Sequence, residues 1–155
     1  MNTKKRSNSN SNYQVQIEKI QIKKLEEKLN IPNLANGSNI CFQGDSNTKI
    51  RPDIYSAEHL IIGEVYTHLG KLKSAQMHKI SADFLKLILF KEDSKADYQM
   101  YYIICDEAVR DSMLGNAVIS NAIRLHGIKI ECFELDESMK TTLKETMRKQ
   151  DLTLK

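Results

Sequence analysis

The chain of 155 residues is short of several features, and each absence narrows what it can be. No apolar run approaches the roughly 20 residues that cross a bilayer as a helix, so no membrane span is expected. The first twelve residues, MNTKKRSNSNSN, lack the apolar stretch of a secretory signal, and the expected location is cytoplasmic. Cysteine is scarce. Cys41, Cys105 and Cys132 are far apart, none makes a metal-type pair, and buried free thiols in strands are expected. There is no nucleophile elbow, no glycine-rich phosphate loop and no dinucleotide fingerprint. These gaps argue against a small α/β hydrolase or a ligand-binding protein unrelated to nucleic acid. No internal repeat is visible.

A charge surplus is missing as well. The formal net charge is +3, and Lys4, Lys5 and Arg6 supply all of it; without them 20 basic residues face 20 acidic ones. Overall charge therefore does not argue for a nucleic-acid partner, and only a local patch would. Residues 1–12 read as a disordered polar and basic leader, and residues 13–150 as one domain with a single core.

From Tyr13 to Leu29 the period is helical, with Val15, Ile22, Leu25 and Leu29 facing inward and Glu18 on the same stripe. Pro32 and Gly37 end that segment. NICFQG, KIRPDIY and HLIIGEVY then read as three strands with short turns, which suits an antiparallel meander. Pro52 marks an edge or bulge in the second. Ser74 is a candidate N-cap for a helix running to about Lys91, with Met77, Ile80, Phe84, Leu87 and Ile88 as its core face. YQMYYIICD is a strand. A helix from Glu107 to Leu125 follows, turning Val109, Met113, Ala117 and Ile123 inward and capped by Gly127. IKIECFEL is a further strand, parallel to the one before, and a polar helix from about Glu137 to Arg148 closes the chain. The expected order is αβββαβαβα, an α/β fold with a mixed sheet. His59 and His126 are expected to satisfy local polar groups.

Glu64 is the residue that needs explaining. Within IIGEVY, alternation puts Ile62, Glu64 and Tyr66 on one face and Ile61, Gly63 and Val65 on the other. In a meander, Asp53 lies beside Glu64. Two carboxylates held so close repel each other, and a divalent cation relieves that cost. Hard oxygen ligands suit Mg²⁺ or Mn²⁺. Glu18 is a candidate third carboxylate. Lys71, Lys73, His78 and Lys79 cluster at the next helix start, where anions are favoured. Gln76 shares the face of Lys79, with Asp83 a turn further on, and a phosphate fits between such groups and a metal.

RPDI, IIGEVY and KSAQMHKISADFLKL, in that order, resemble the PD-(D/E)XK nuclease superfamily, the restriction-endonuclease-like fold. The resemblance spans roughly residues 13–135. It implies that Asp53, Glu64 and the main-chain carbonyl of Val65 hold the metal. It also implies that Gln76 matches a polar helix residue of several members, and Glu18 a first-helix glutamate that some members add. The family's lysine belongs two residues after the glutamate, where this chain has Tyr66. Some members carry it on the following helix, which makes Lys79 the first candidate substitute and Lys73 the second. The expectation is a Mg²⁺- or Mn²⁺-dependent phosphodiesterase acting on nucleic acid, DNA foremost, with Asp53, Glu64, Gln76 and Lys79 catalytic. Lys71, Lys73, His78 and Lys79 would contact the nucleic acid. The small size makes a homodimer or a larger assembly plausible. The alternative is a non-catalytic member of the same fold that binds nucleic acid or protein within a complex.

Overall fold

In the computed structural model the backbone is described for residues 3–153, and side chains for residues 12–150 and Leu152. Eleven elements follow one another: α1 (Thr3–Leu29), β1 (Ile40–Cys41), β2 (Lys49–Ile50), β3 (Ile54–Ser56), β4 (Ile61–Tyr66), α2 (Ser74–Ser94), β5 (Gln99–Ile104), α3 (Glu107–Leu114), α4 (Ala117–His126), β6 (Lys129–Cys132) and α5 (Glu137–Thr153). The side chains of the polar leader up to residue 11 lie outside the described residues. Among the described residues no helix is long and apolar enough to cross a membrane.

The chain is mixed α/β. Its main sheet has the order β3-β4-β5-β6, with β3 antiparallel to β4 and the pairs β4–β5 and β5–β6 parallel. Parallel neighbours need a crossover between them. Here α2 supplies the first crossover, and α3 with α4 the second. Beneath these helices lie Ile62, Tyr66, Met100, Tyr102 and Ile104, packed on Ile80, Phe84, Leu87, Val109, Met113 and Ile119. On the opposite face Ile54, Ile61, Val65, Tyr101 and Ile103 pack on Ile22 and Leu25 of α1 and on Leu34. A third cluster joins Ile17, Leu69, Cys105, Leu135 and Leu143, and so ties α5 to α1 at one end of the sheet. Each fully buried aliphatic side chain contributes about 1.5–3 kcal/mol.

Gly63 is required by the β4–β5 pairing. A Cβ there would sit 2.5 Å from the carbonyl oxygen of Tyr101, so only a residue without a side chain lets the two backbones approach.

Several boundaries differ from expectation. KIRPDIY is two strands, not one, because the chain breaks between Ile50 and Ile54: β2 pairs with β1 in a separate ribbon, while β3 joins the main sheet. Pro52, which has no N–H for a ladder, sits in the break. The three-strand meander is therefore a single antiparallel pair within the main sheet. The helix expected over residues 107–125 is also two. Gly115 ends α3, and the Asn116 side chain accepts from the Ile119 N–H to start α4. The helical phase resets there, so Ala117 is exposed and Ile119 takes the buried place. Lys73, not Ser74, is the N-cap residue of α2. Val15 is 44 % exposed, because at that end α1 packs through Tyr13 and Ile17 towards α5 and no longer towards the sheet. Cys105 is a buried free thiol, whereas Cys41 is exposed and Cys132 half-buried. His59 Nδ1 lies 3.1 Å from the Ser56 hydroxyl within its own turn, a local polar pairing of the kind expected of it.

Candidate functional site

The antiparallel register pairs Ile54 with Gly63. One step further, Asp53 falls opposite Glu64 and Pro52 opposite Val65. Directly opposed residues on one face of such a pair have Cβ atoms about 5 Å apart, and like charges there are destabilising. The edge of β3 is closed by the segment after α1: the Asn36 N–H donates to the Asp53 carbonyl at 2.9 Å, and the Asn36 amide donates to the Pro52 carbonyl at 2.8 Å. The Val65 N–H donates to Asp53 Oδ2 at 2.9 Å. Opposite it, Pro52 has no N–H to return, so the ladder offers no donor to the Val65 carbonyl.

Three carboxylates meet through Asp53. Glu64, buried on β4, and Glu18, reaching from α1, are each within hydrogen-bonding reach of the Asp53 carboxylate. Burial first, and then the shared hydrogen bond and negative charge of Asp53, push both glutamates from 4.5 up to about 8. Lys79 and Lys19 pull Glu18 the other way, and Lys86 does so for Glu64.

Lys86, on α2, is the cation in direct contact. Its ammonium pairs with Glu64 Oε1. Burial pulls the Lys86 ammonium down, but Glu64, with Asp83 and Asp53, more than reverses this and holds it above its ordinary value. One turn earlier, buried Asp83 accepts from the Tyr102 hydroxyl at 2.9 Å and from Lys79 at 3.2 Å. Lys79 is thus held by Asp83, with Glu18 within its electrostatic reach.

The other expected residues are placed differently. Tyr66 is buried with its hydroxyl unbonded, and burial together with Asp83 raises it to about 12. It stays neutral, and its ring packs against His68 with centroids 5.3 Å apart. The Gln76 side-chain oxygen accepts from the Lys73 N–H at 2.9 Å and so caps α2. A lysine ammonium has no acceptor with which to complete a reciprocal capping box. Lys71, Lys73 and His78 are exposed.

Lys86 was missed in the sequence, although a signal for it existed. Gln76, Lys79, Asp83 and Lys86 recur at spacings of three, four and three, and so form one stripe of α2.

The donor set is all oxygen, which suits Mg²⁺ or Mn²⁺. Glu64 Oε1 already faces the Lys86 ammonium, so a metal ion would share this carboxylate with Lys86. Among the described residues no three His, Cys, Asp or Glu side chains are already gathered as a metal-holding group; the carboxylates meet in pairs through Asp53. Comparison with family models, with curated proteins and with solved structures finds no match for this chain.

Proposed function

We propose that this protein is a metal-dependent nucleic-acid phosphodiesterase, acting on DNA, with a restriction-endonuclease-like domain of the PD-(D/E)XK type. The observation that carries this reading is the meeting of Glu18, Asp53 and Glu64 at the edge of the main sheet, beside the Lys86 ammonium. Gathering carboxyl groups drives both glutamates up to about 8, a cost in stability at higher pH, and a role in holding a cation accounts for their placement.

Asp53 and Glu64 would hold a Mg²⁺ or Mn²⁺ ion together with the Val65 carbonyl, and Glu18 would complete the negative wall. Bound there, the ion supplies Lewis-acid polarisation of a phosphoryl oxygen and a more acidic water. The Val65 N–H keeps Asp53 in its rotamer. Lys86 supplies the positive charge that the family places two residues after the glutamate, where neutral Tyr66 stands. From α2 its ammonium faces the carboxylates and can stabilise negative charge as it builds on the phosphate. This replaces Lys79 as the leading candidate: Lys79 is tied to Asp83 and serves as a neighbouring charge. Gln76 has a capping role that needs no substrate.

The alternative, a non-catalytic binding subunit of the same fold, draws on Tyr66 and on the lack of a separate DNA-recognition domain. The Lys86–Glu64 pair favours the enzyme. The test is incubation of plasmid and single-stranded DNA with the full chain in Mg²⁺, Mn²⁺ or chelator. Metal-dependent cleavage that falls below detection in Asp53→Ala and in Glu64→Ala is expected. Binding without cleavage under either metal would replace the enzyme with the binding subunit.

A further inference from the structure

We infer that the cleft between α5 and the turn after β4 is a track for the sugar-phosphate backbone of the nucleic-acid substrate. The inference rests on the proposed nuclease function and extends it to a surface that the carboxylate site does not include.

The cleft holds about 360 Å³ and is lined by Leu69, Gly70, Asp106, Lys144, Met147 and Arg148. Its floor is apolar and fixed: the Leu69 N–H contacts the Met147 sulfur at 3.5 Å, and Leu69 packs with Leu143. Its one acid is already engaged. Asp106 Oδ2 accepts from the Gly70 N–H at 2.8 Å, and Oδ1 accepts from the Ala108 N–H at 3.1 Å. Those bonds fix the Asp106 carboxylate in place, and its single negative charge stands against two cations, Lys144 and Arg148, in the lining.

The cations are in the opposite condition. Lys144 and Arg148 are four residues apart on α5 and therefore share a side of the helix. Lys71 and Lys73 follow Gly70 directly in the chain. All four are exposed, and among the described residues none takes part in an ion pair. By contrast Lys140, one turn before Lys144, lies 3.8 Å from Glu134 and 4.0 Å from Glu137. In a domain whose charges otherwise balance, the unpaired Lys144 and Arg148 in the lining of the cleft, with Lys71 and Lys73 next in the chain after Gly70, form a local positive field. Long, solvated side chains strung along a groove suit a linear polyanion better than a compact anion, which would need a closed ring of donors. The cleft also begins three residues past the end of the strand that carries Glu64, at the same end of that strand as the carboxylate.

The test is anisotropy of fluorescein-labelled single-stranded and double-stranded DNA of equal length, titrated with the full chain in EDTA across a salt series. The Lys144→Gln/Arg148→Gln double variant is expected to bind roughly tenfold more weakly at low salt. Its slope of log affinity against log salt should be shallower by about two. Lys140→Gln should leave that slope unchanged. Because the two substituted side chains are exposed, an unchanged melting temperature checks the fold, and Lys144→Glu/Arg148→Glu should enlarge the loss. Wild-type-like affinity and slope in both double variants would overturn the track, while metal-dependent cleavage by the wild-type chain would leave the nuclease standing. If the wild-type chain neither binds nor cuts DNA, both proposals fall. Preference for a polyglutamate peptide over DNA would also reject the track, in favour of an acidic protein partner.

Discussion

On one face of β4 stand Ile61 and Val65, packed on Ile22, Leu25, Leu34 and Ile103. On the other stand Ile62, Glu64 and Tyr66, packed beneath α2. The first face is aliphatic and dry, and its burial drives folding. The second buries Glu64, Asp83 and the hydroxyls of Tyr66 and Tyr102, and a polar group without a full set of partners is costly to bury. Residues one position apart in the same strand therefore serve different ends. The α1 face mainly stabilises the domain, with Glu18 reaching from it to Asp53, and the α2 face keeps charged groups at close quarters that stability does not require. Departures from local consistency of this kind concentrate at functional sites.

Substitutions on both faces and a pH series probe that division. Lys86→Met should lower turnover by about 10²–10³, the usual loss for one group that stabilises transition-state charge. Mn²⁺ binding, followed by calorimetry, should persist in that variant. Lys79→Met should lose less, because its ammonium is already held by Asp83. Equal losses in the two variants would remove the special standing of Lys86.

On the other face, Leu25→Ala should cost about 2–5 kcal/mol in urea unfolding. The turnover of the molecules that remain folded should be unchanged. A comparable fall in turnover would mean that the two faces are not separable.

A further effect is in the pH dependence of stability without metal. Glu18 and Glu64 are raised from 4.5 to about 8 in the folded chain, so between those values the folded state binds more protons than the unfolded one. Their contribution is fully present below about 4.5 and is lost as pH rises through about 8. Melting temperature in EDTA should therefore fall across that window. Added Mg²⁺ should restore it most at the alkaline end, and Glu18→Gln should flatten the dependence. A melting temperature that rises steadily with pH, in the wild-type chain and in Glu18→Gln alike, would contradict the raised values.

Much of this was legible along the chain. Strand alternation placed Glu64 with Ile62 and Tyr66, and a helical stripe placed Glu18 on the side of α1 that faces the sheet. The rest depended on contacts between distant segments. Pro52 was visible as an interruption, but whether it makes a bulge or divides one strand between two sheets depends on what lies beside it. Gly115 and Asn116 broke a helix whose apolar period ran on across the break, so periodicity alone carried Ala117 inward. Lys86 lay on the same stripe as Gln76, Lys79 and Asp83, yet it stood beyond the helix start to which attention to helix dipoles leads.

The order of residues alone settled the kinds of element and most of their inward faces, because hydrophobic period and turn chemistry act over a few residues. It also brought Asp53 next to Glu64, since adjacent antiparallel strands leave few registers. Which lysine meets Glu64 was set by how α2 lies across β4, and which cations flank the cleft by where α5 docks on Leu69. Both arrangements come from packing between segments far apart in the chain, and no local pattern carries that information.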